Sequence, residues 1–365
     1  MENKLDKARK EINEIDRQMA ELFVKRMRAA ETVAEYKKER GLAILDEARE
    51  AEVVRNGSAR VEDETIREYY VNFLKNTMAV SRAYQGRLMK GMKVAYSGTE
   101  GAFAHIAACK LYPAAEKIAY ADFTKAYKAV ESGECDVAVL PVENSYNGEV
   151  GQVTDLMFSG SLYVNGIYDL PVIHNLVSVP GATKSDIKKV ISHPQALSQC
   201  ANYIGANGFE QVQYENTAMA AKAVSEMNDK TVGAICSEEC AEIFGLTVLE
   251  RHINESRSNT TRFGVFTRAS VNYEMKPDPE NRFILMFTVR NVAGSLSEAI
   301  NVIGRHGYNM TALRSRPMKE LLWSYYFYVE CEGTLTEEKA KVLKNDLSSC
   351  CDQLKIAGAY KSKTL

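Results

Sequence analysis

Apolar residues recur at helical intervals from the start of the chain. Ile12, Ile15, Met19, Leu22, Phe23 and Val33 form a stripe that begins near residue 5 and runs to Arg40, where Gly41 supplies a stop. The pattern predicts one long helix, which at about 1.5 Å per residue extends roughly 50 Å, too long to persist in water without a surface to pack on. Two shorter helical stretches follow, about 46–56 and 63–90. Three helices this elongated bury their stripes best against a second copy, so a helical homodimer is expected. From residue 91 short β-branched runs (93–96, 136–142, 176–179, 231–236, 263–268) alternate with helical stretches such as 101–111 and 217–227, predicting a two-lobed α/β domain over 91–271. Lys276-Pro277-Asp278-Pro279 is a polar, twice proline-broken linker. Beyond it, 281–365 reads as strand 282–290, helix 295–306, strands near 309–316 and 321–330, helix 336–347 and strand 354–360, a βαββαβ module.

Composition sharpens the first boundary. All eight prolines and 19 of the 22 glycines lie beyond residue 90, while residues 1–90 carry 19 Lys and Arg and 17 Asp and Glu, an all-helical make-up. The 365 residues suit two or three domains. The formal net charge of -2 gives no global pull toward nucleic acid or an anionic membrane, and no uncharged apolar run approaches the roughly 18 residues that span a bilayer. The charged start, MENKLDKARK, does not read as a secretory signal, so a cytoplasmic protein is expected. Eight scattered cysteines fit a reduced compartment rather than a disulfide framework. Cys236 and Cys240 sit one helical turn apart without further ligands nearby, so no metal is expected. Neither GxGxxG nor GxxxxGK[ST] is present, and no cofactor is implied.

On the long helix Arg26 and Lys37 lie eleven residues apart, about three turns, and can converge on one anion. Arg9 is seventeen residues before Arg26, roughly 100° round the helix and about 25 Å away, beyond joint reach of a small ligand. In an antiparallel dimer Arg9 of one chain lies beside Arg26 and Lys37 of the other, which predicts shared sites. Asp46, Arg49 and Glu50 stand at i, i+3 and i+4, and Ser81 and Gln85 at i and i+4, each set facing one way. Taken singly these sets also fit solvated ion pairs. Taken together and in order, the stretch resembles the helical class of chorismate mutases over nearly all of residues 1–90. The resemblance implies a Claisen rearrangement of chorismate to prephenate, without nucleophile, cofactor or proton transfer. It assigns the two substrate carboxylates to the partner's Arg9 and to Arg26, the ether oxygen to Lys37 and Gln85, and the ring hydroxyl to Glu50, with Asp46, Arg49 and Ser81 completing a polar shell.

In the α/β region, Ser97-Gly98-Thr99-Glu100-Gly101 is a turn between strand and helix whose amides could hold a carboxylate. Leu140-Pro141-Val142-Glu143-Asn144-Ser145-Tyr146-Asn147-Gly148 ends a strand, and Ser258-Asn259-Thr260-Thr261-Arg262-Phe263 enters one, where α/β ligand sites form. With Ser192-His193-Pro194-Gln195, these segments resemble prephenate dehydratase from about residue 92 to 270, a fold related to two-lobed periplasmic binding proteins. The resemblance implies loss of water and carbon dioxide from prephenate to give phenylpyruvate. Thr261 takes the catalytic position, aiding departure of the hydroxyl, although a threonine hydroxyl is a poor acid unaided. Arg262 is a candidate carboxylate anchor and Phe263 shapes the cleft. Glu143, Asn144, Ser145 and the amides near Gly98 and Gly101 position substrate, while His193 reads as a helix-start or cleft-wall residue.

In the last module, Gly294, Ser295 and Leu296 between strand and helix, with Asn309, Leu313, Arg314, Ser315, Arg316 and Pro317 downstream, resemble an ACT domain. This is a small α+β module that binds amino acids at paired interfaces and in dehydratases of this type senses L-phenylalanine. The family's usual GALV and ESRP motifs read here Gly294-Ser295-Leu296-Ser297 and Arg314-Ser315-Arg316-Pro317, a charge reversal at 314, so phenylalanine feedback is expected with its loss or an altered ligand preference as the alternative. Across the whole chain the resemblance is to bifunctional chorismate mutase and prephenate dehydratase enzymes, multidomain proteins acting on chorismate and prephenate and feedback-regulated by phenylalanine. Two competing readings stand beside it: a non-catalytic aromatic-metabolite sensor, and a mutase fused to a prephenate dehydrogenase, which needs the dinucleotide fingerprint that is missing.

Overall fold

The computed structural model describes residues 3–256, 258–270, 276–318 and 324–365. The chain divides into two compact units, Met1–Lys93 and Val94–Leu365. The first is all-helical: α1 (Lys4–Glu39), α2 (Glu47–Ser58) and α3 (Glu64–Lys90). Each begins at a short polar residue whose side chain accepts a backbone N–H of the first turn: Asn3, Asp46 and Asp63. The stop after α1 is Gly41, with φ +62°, as its position in the pattern requires. Both α1 and α2 pack on α3, and Gly57 lets α2 approach closely there, since an added Cβ would push against the Leu74 side chain. Yet the only apolar side chains buried in this unit are Ala30, Ala34 and Met78, among the described residues. Leu5, Ile12, Ile15, Met19, Leu22 and Phe23 all remain exposed along α1. Burying each such large side chain is worth roughly 1.5–3 kcal/mol, so this stripe is a large unspent driving force.

The second unit holds β1 (Lys93–Ser97), α4 (Phe103–Leu111), β2 (Glu116–Tyr120), α5 (Phe123–Glu131), β3 (Val137–Asn144), β4 (Gly148–Glu149), α6 (Gly151–Ser159) and β5 (Tyr163–Pro171). Then come β6 (Asn175–Ser178), β7 (Lys189–Ser192), α7 (Pro194–Gln199), α8 (Ala201–Asn207), β8 (Glu210–Gln213), α9 (Thr217–Met227), β9 (Val232–Cys236), α10 (Glu238–Ile243), β10 (Thr247–Glu250) and β11 (Thr260–Thr267). The terminal module is β12 (Asn281–Thr288), α11 (Ser295–Arg305), β13 (Met310–Pro317), β14 (Tyr325–Glu332), α12 (Glu337–Leu347) and β15 (Gln353–Thr364). Residues 321–323 of the expected strand at 321–330 lie outside the described residues.

Two sheets carry the unit. The five-stranded one, in the order β10-β6-β9-β7-β8, forms the second lobe, with apolar clusters on both faces, while β1 to β5 and β11 of the other sheet form the first lobe. The other has ten strands, β13-β14-β12-β15-β5-β11-β3-β1-β2, with β4 on β3. The βαββαβ module is therefore not a separate body beyond a linker. Its last strand runs four residues past the expected end at 360 and pairs in parallel with β5, Lys363 opposite Tyr168 and Thr364 opposite Asp169. One apolar core is common to both: Ile284, Met286, Tyr326, Tyr328 and Tyr360 of the module pack with Leu140, Val142, Met157 and Ile167 of the first lobe. No helix among the described residues is long and apolar enough to cross a membrane.

The close approach at this seam has a specific requirement. A Cβ on Gly358 would lie 2.0 Å from the Val164 carbonyl oxygen, a backbone atom that cannot rotate away. Gly358→Val is expected to destabilise the unit by about 3 kcal/mol in denaturant unfolding, by overpacking against fixed backbone.

Two candidate active sites

In the helical unit a cavity of about 310 Å³ opens between the three helices. Arg26 and Lys37 reach it from α1, Asp46, Arg49 and Glu50 from the start of α2, and Ser81 and Gln85 from α3, so seven of the eight expected mutase residues meet here. They converge because one helix face repeats every three to four residues. Arg26 donates to the Ser81 hydroxyl, and Lys37 Nζ donates to the Ile44 carbonyl at 2.6 Å. Gln85 is buried, and among the described residues its Oε1 has no hydrogen-bond partner. Arg82, which the sequence reading missed, also lines the cavity and ion-pairs with Glu50. It lies one residue beyond Ser81, a position that spacing alone does not single out. Asp46 carries a structural duty as well, accepting the Arg49 N–H at 3.0 Å as the cap of α2. Arg9 lies outside the cavity, exposed, and pairs with Asp6 at 4.0 Å.

The second cavity, about 430 Å³, lies in the cleft between the two lobes of the other unit. Pairing of β11 with β3 sets Thr261 directly opposite Asn144 and Arg262 opposite Glu143. Asn144 Nδ2 donates to Thr261 Oγ1 at 3.0 Å and to Asn259 Oδ1 at 3.0 Å. Its own Oδ1 accepts the Tyr146 and Asn147 amides, both at 3.0 Å, which locks the amide orientation. Thr261 Oγ1 is thus an acceptor toward Asn144, and among the described residues its proton has no protein acceptor. Behind this pair Gln199 Oε1 accepts from Asn259 Nδ2 at 2.9 Å and from His174 Nε2 at 3.0 Å. That places the proton of His174 on Nε2 and leaves Nδ1, buried and without a partner among the described residues, as an acceptor. Burial lowers the His174 pKa, so the ring is neutral at pH 7. The second lobe adds His193, Gln195, Asn216 and Thr217 to the wall. His193 caps α7, Nδ1 accepting the Gln195 N–H at 3.2 Å. Asn259 falls within the 258–263 segment singled out from the sequence, whereas His174 and Gln199 were missed because a lone polar residue just before a strand or at the end of a short helix carries no spacing signal.

Several expected positions are placed otherwise. Phe263 lines the cleft, but Arg262 does not: successive side chains alternate across β11, and its guanidinium turns to the opposite face to meet Glu330 at 2.9 Å and Glu143 at 3.3 Å. That corrects its reading as a carboxylate anchor, and Glu143 is withdrawn from the cleft with it. Ser145 is a loop clamp, its Oγ donating to the Ser258 carbonyl and accepting the Thr260 N–H, both at 3.0 Å. Gly98 lines the cavity but spends its N–H on the Tyr120 carbonyl, and the Gly101 N–H goes to His105 Nδ1. The uncapped first turn of α4, two residues further on, supplies Phe103 and Ala104 to the wall instead.

In the terminal module the nine expected regulatory residues do not converge. Gly294 (φ +91°) and Ser295 start α11, and Leu296 lines a cavity of about 440 Å³ with Arg290, Val292, Tyr325, Phe327 and Asp352. Asn309 pairs with Glu332 at 2.8 Å. Alternation along β13 exposes Leu313, Ser315 and Pro317, while Arg314 and Arg316 face the first lobe.

The profile of type II chorismate mutases matches residues 8–86, and that of prephenate dehydratases matches residues 94–271. A bifunctional chorismate mutase/prephenate dehydratase of Neisseria gonorrhoeae is 30% identical over 98% of this chain and 97% of its own length. Among solved structures, a prephenate dehydratase from Arthrobacter aurescens in complex with L-Phe is 25% identical, with TM-score 0.67 over 74% of this chain and 90% of that one. GqqA, described as a novel type of quorum quenching acylase, is 30% identical, with TM-score 0.67 over 74% of this chain and 98% of that one. Two family profiles in tandem over most of the chain, and a two-activity relative aligned over 98% of it, lead to one assignment: the chain belongs to the bifunctional chorismate mutase/prephenate dehydratase family.

Proposed function

We propose that the two cavities act in series. The chain converts chorismate to prephenate in the helical unit and prephenate to phenylpyruvate in the cleft of the α/β unit. The observation that carries the second half is the Asn144–Thr261 hydrogen bond at the floor of that cleft.

In the helical cavity four cationic side chains, Arg26, Lys37, Arg49 and Arg82, face two carboxylates, Asp46 and Glu50. The surplus of two positive charges matches a dianionic substrate. Arg26 takes one carboxylate, and Lys37 and Gln85 meet the ether oxygen, where negative charge grows as the C–O bond breaks, so they favour the transition state over the ground state. Glu50, held by Arg82, receives the ring hydroxyl. The second carboxylate falls to Arg9 of a partner chain, and the exposed stripe from Leu5 to Phe23 is the surface a homodimer covers.

In the cleft, the ring carboxylate leaves as carbon dioxide, its bonding electrons aromatise the ring, and the hydroxyl departs from the opposite carbon, taking up a proton to become water. Thr261 accepts from Asn144, so its own O–H is aimed at the departing oxygen. The proton balance is completed from solvent rather than by ionising threonine. Amides of the first turn of α4 and the polar wall from the second lobe hold the remaining carboxylate.

L-phenylalanine is the proposed effector, bound in the terminal cavity beside Leu296. Arg290 and Asp352 offer charges for its carboxylate and ammonium, and Val292, Tyr325 and Phe327 an apolar wall. To regulate, it must bind one arrangement better than another.

Incubation with chorismate is expected to show transient prephenate followed by phenylpyruvate, the latter slowed by added L-phenylalanine. Binding of chorismate and prephenate without turnover supports a sensor instead. Mixing inactive Arg9→Ala and Arg26→Ala chains under subunit exchange is expected to restore up to about a quarter of mutase activity, since one site per mixed dimer regains both arginines. No recovery argues against the shared site.

A further inference from the structure

At the seam between the terminal module and the first lobe lies a cluster of charges that neither reaction uses. Arg262 on β11 donates to Glu330 on β14 at 3.0 and 2.9 Å and to Glu143 on β3 at 3.3 Å, and lies 3.7 Å from Asp169 on β5. Burial alone would raise the Glu330 pKa, but Arg262 holds the carboxyl below its usual range. Glu143 is bidentate in another sense: its Oε2 faces Arg262 and its Oε1 takes the guanidinium of Arg314 on β13. Arg314 is half-buried, 5.4 Å over the Tyr328 ring. Three carboxylates share two guanidiniums. Position 314 is where this chain departs from the Glu of the ESRP motif, and a Glu there would set four carboxylates against one guanidinium.

Glu143 and Arg262 are cross-strand partners immediately beside the Asn144 and Thr261 partners. We infer that Arg314 is a positioning residue for the dehydratase step: by holding Glu143 from the module side it fixes the β3–β11 register end that presents Asn144 and Thr261 to the cleft. The terminal module thereby acts on turnover without touching substrate. This rests on the dehydratase reading above.

The test uses the full chain with prephenate. Besides Arg262 and Arg314, the groups around Glu143 are Asp169, Glu330, Tyr328 and Tyr360, with Glu149 opposite it on β4 engaged by Arg316 at 3.6 Å. Arg314→Met leaves Glu143 competing with Glu330 and Asp169 for Arg262 alone, one cation against three carboxylates. Arg314→Met is therefore expected to lower dehydratase kcat about tenfold or more and to leave KM nearly unchanged. Arg314→Lys, which keeps the cation, is expected to retain most of kcat. Wild-type kcat in Arg314→Met overturns the inference. So does a loss that lysine does not rescue, or one that falls on KM as much as on kcat, which is the signature of a merely structural contact. A wild-type chain inert toward prephenate would instead sink the dehydratase assignment itself.

Discussion

The register of β3 against β11 is the constraint on which the α/β unit depends. Because side chains alternate across a sheet, setting Thr261 opposite Asn144 on the cleft face automatically sets Arg262 opposite Glu143 on the other. A slip of one residue would carry a guanidinium into the cleft and bury a hydroxyl among carboxylates. Two local features oppose that slip. A bulge follows Arg262, and Asn144 accepts the two amides of its own turn, so the strand end cannot slide without breaking both.

The helical unit solves a different problem by different means. Its chemistry needs only fixed charges around a dianion, and these come from side chains at helical intervals on three capped helices. The cost appears in the packing: with so few apolar side chains buried and the α1 stripe open, the unit by itself lacks the core that holds so long a helix in water. A partner that covers the stripe and brings Arg9 to the cavity meets both needs at once.

What the sequence disclosed follows from this contrast. Helix limits were legible to within two or three residues, because Gly41 and Gly91 stop helices and Asp46 and Asp63 start them. The mutase cavity was legible because its residues lie at helical spacings. In the α/β unit, strands β1, β3, β9 and β12 were readable as β-branched or apolar runs. β5 was not, because Gly166 and Asp169 interrupt it, and its partners are set by tertiary contact. The direction of Arg262 was misread from motif alone, since alternation decides which face a side chain takes only once the neighbouring strands are known. The union of the terminal module with the first lobe was equally hidden, for it depends on Gly358 letting two backbones meet rather than on any pattern of polarity.

The most direct test of the account is the dehydratase rate of Thr261→Val beside Thr261→Ser, each with prephenate at saturation. Valine keeps the shape and removes the hydroxyl that Asn144 orients; serine keeps the hydroxyl. The account predicts a kcat loss of about 10²-fold or more for valine and about tenfold or less for serine, with both proteins folded. A valine enzyme close to wild type would contradict it.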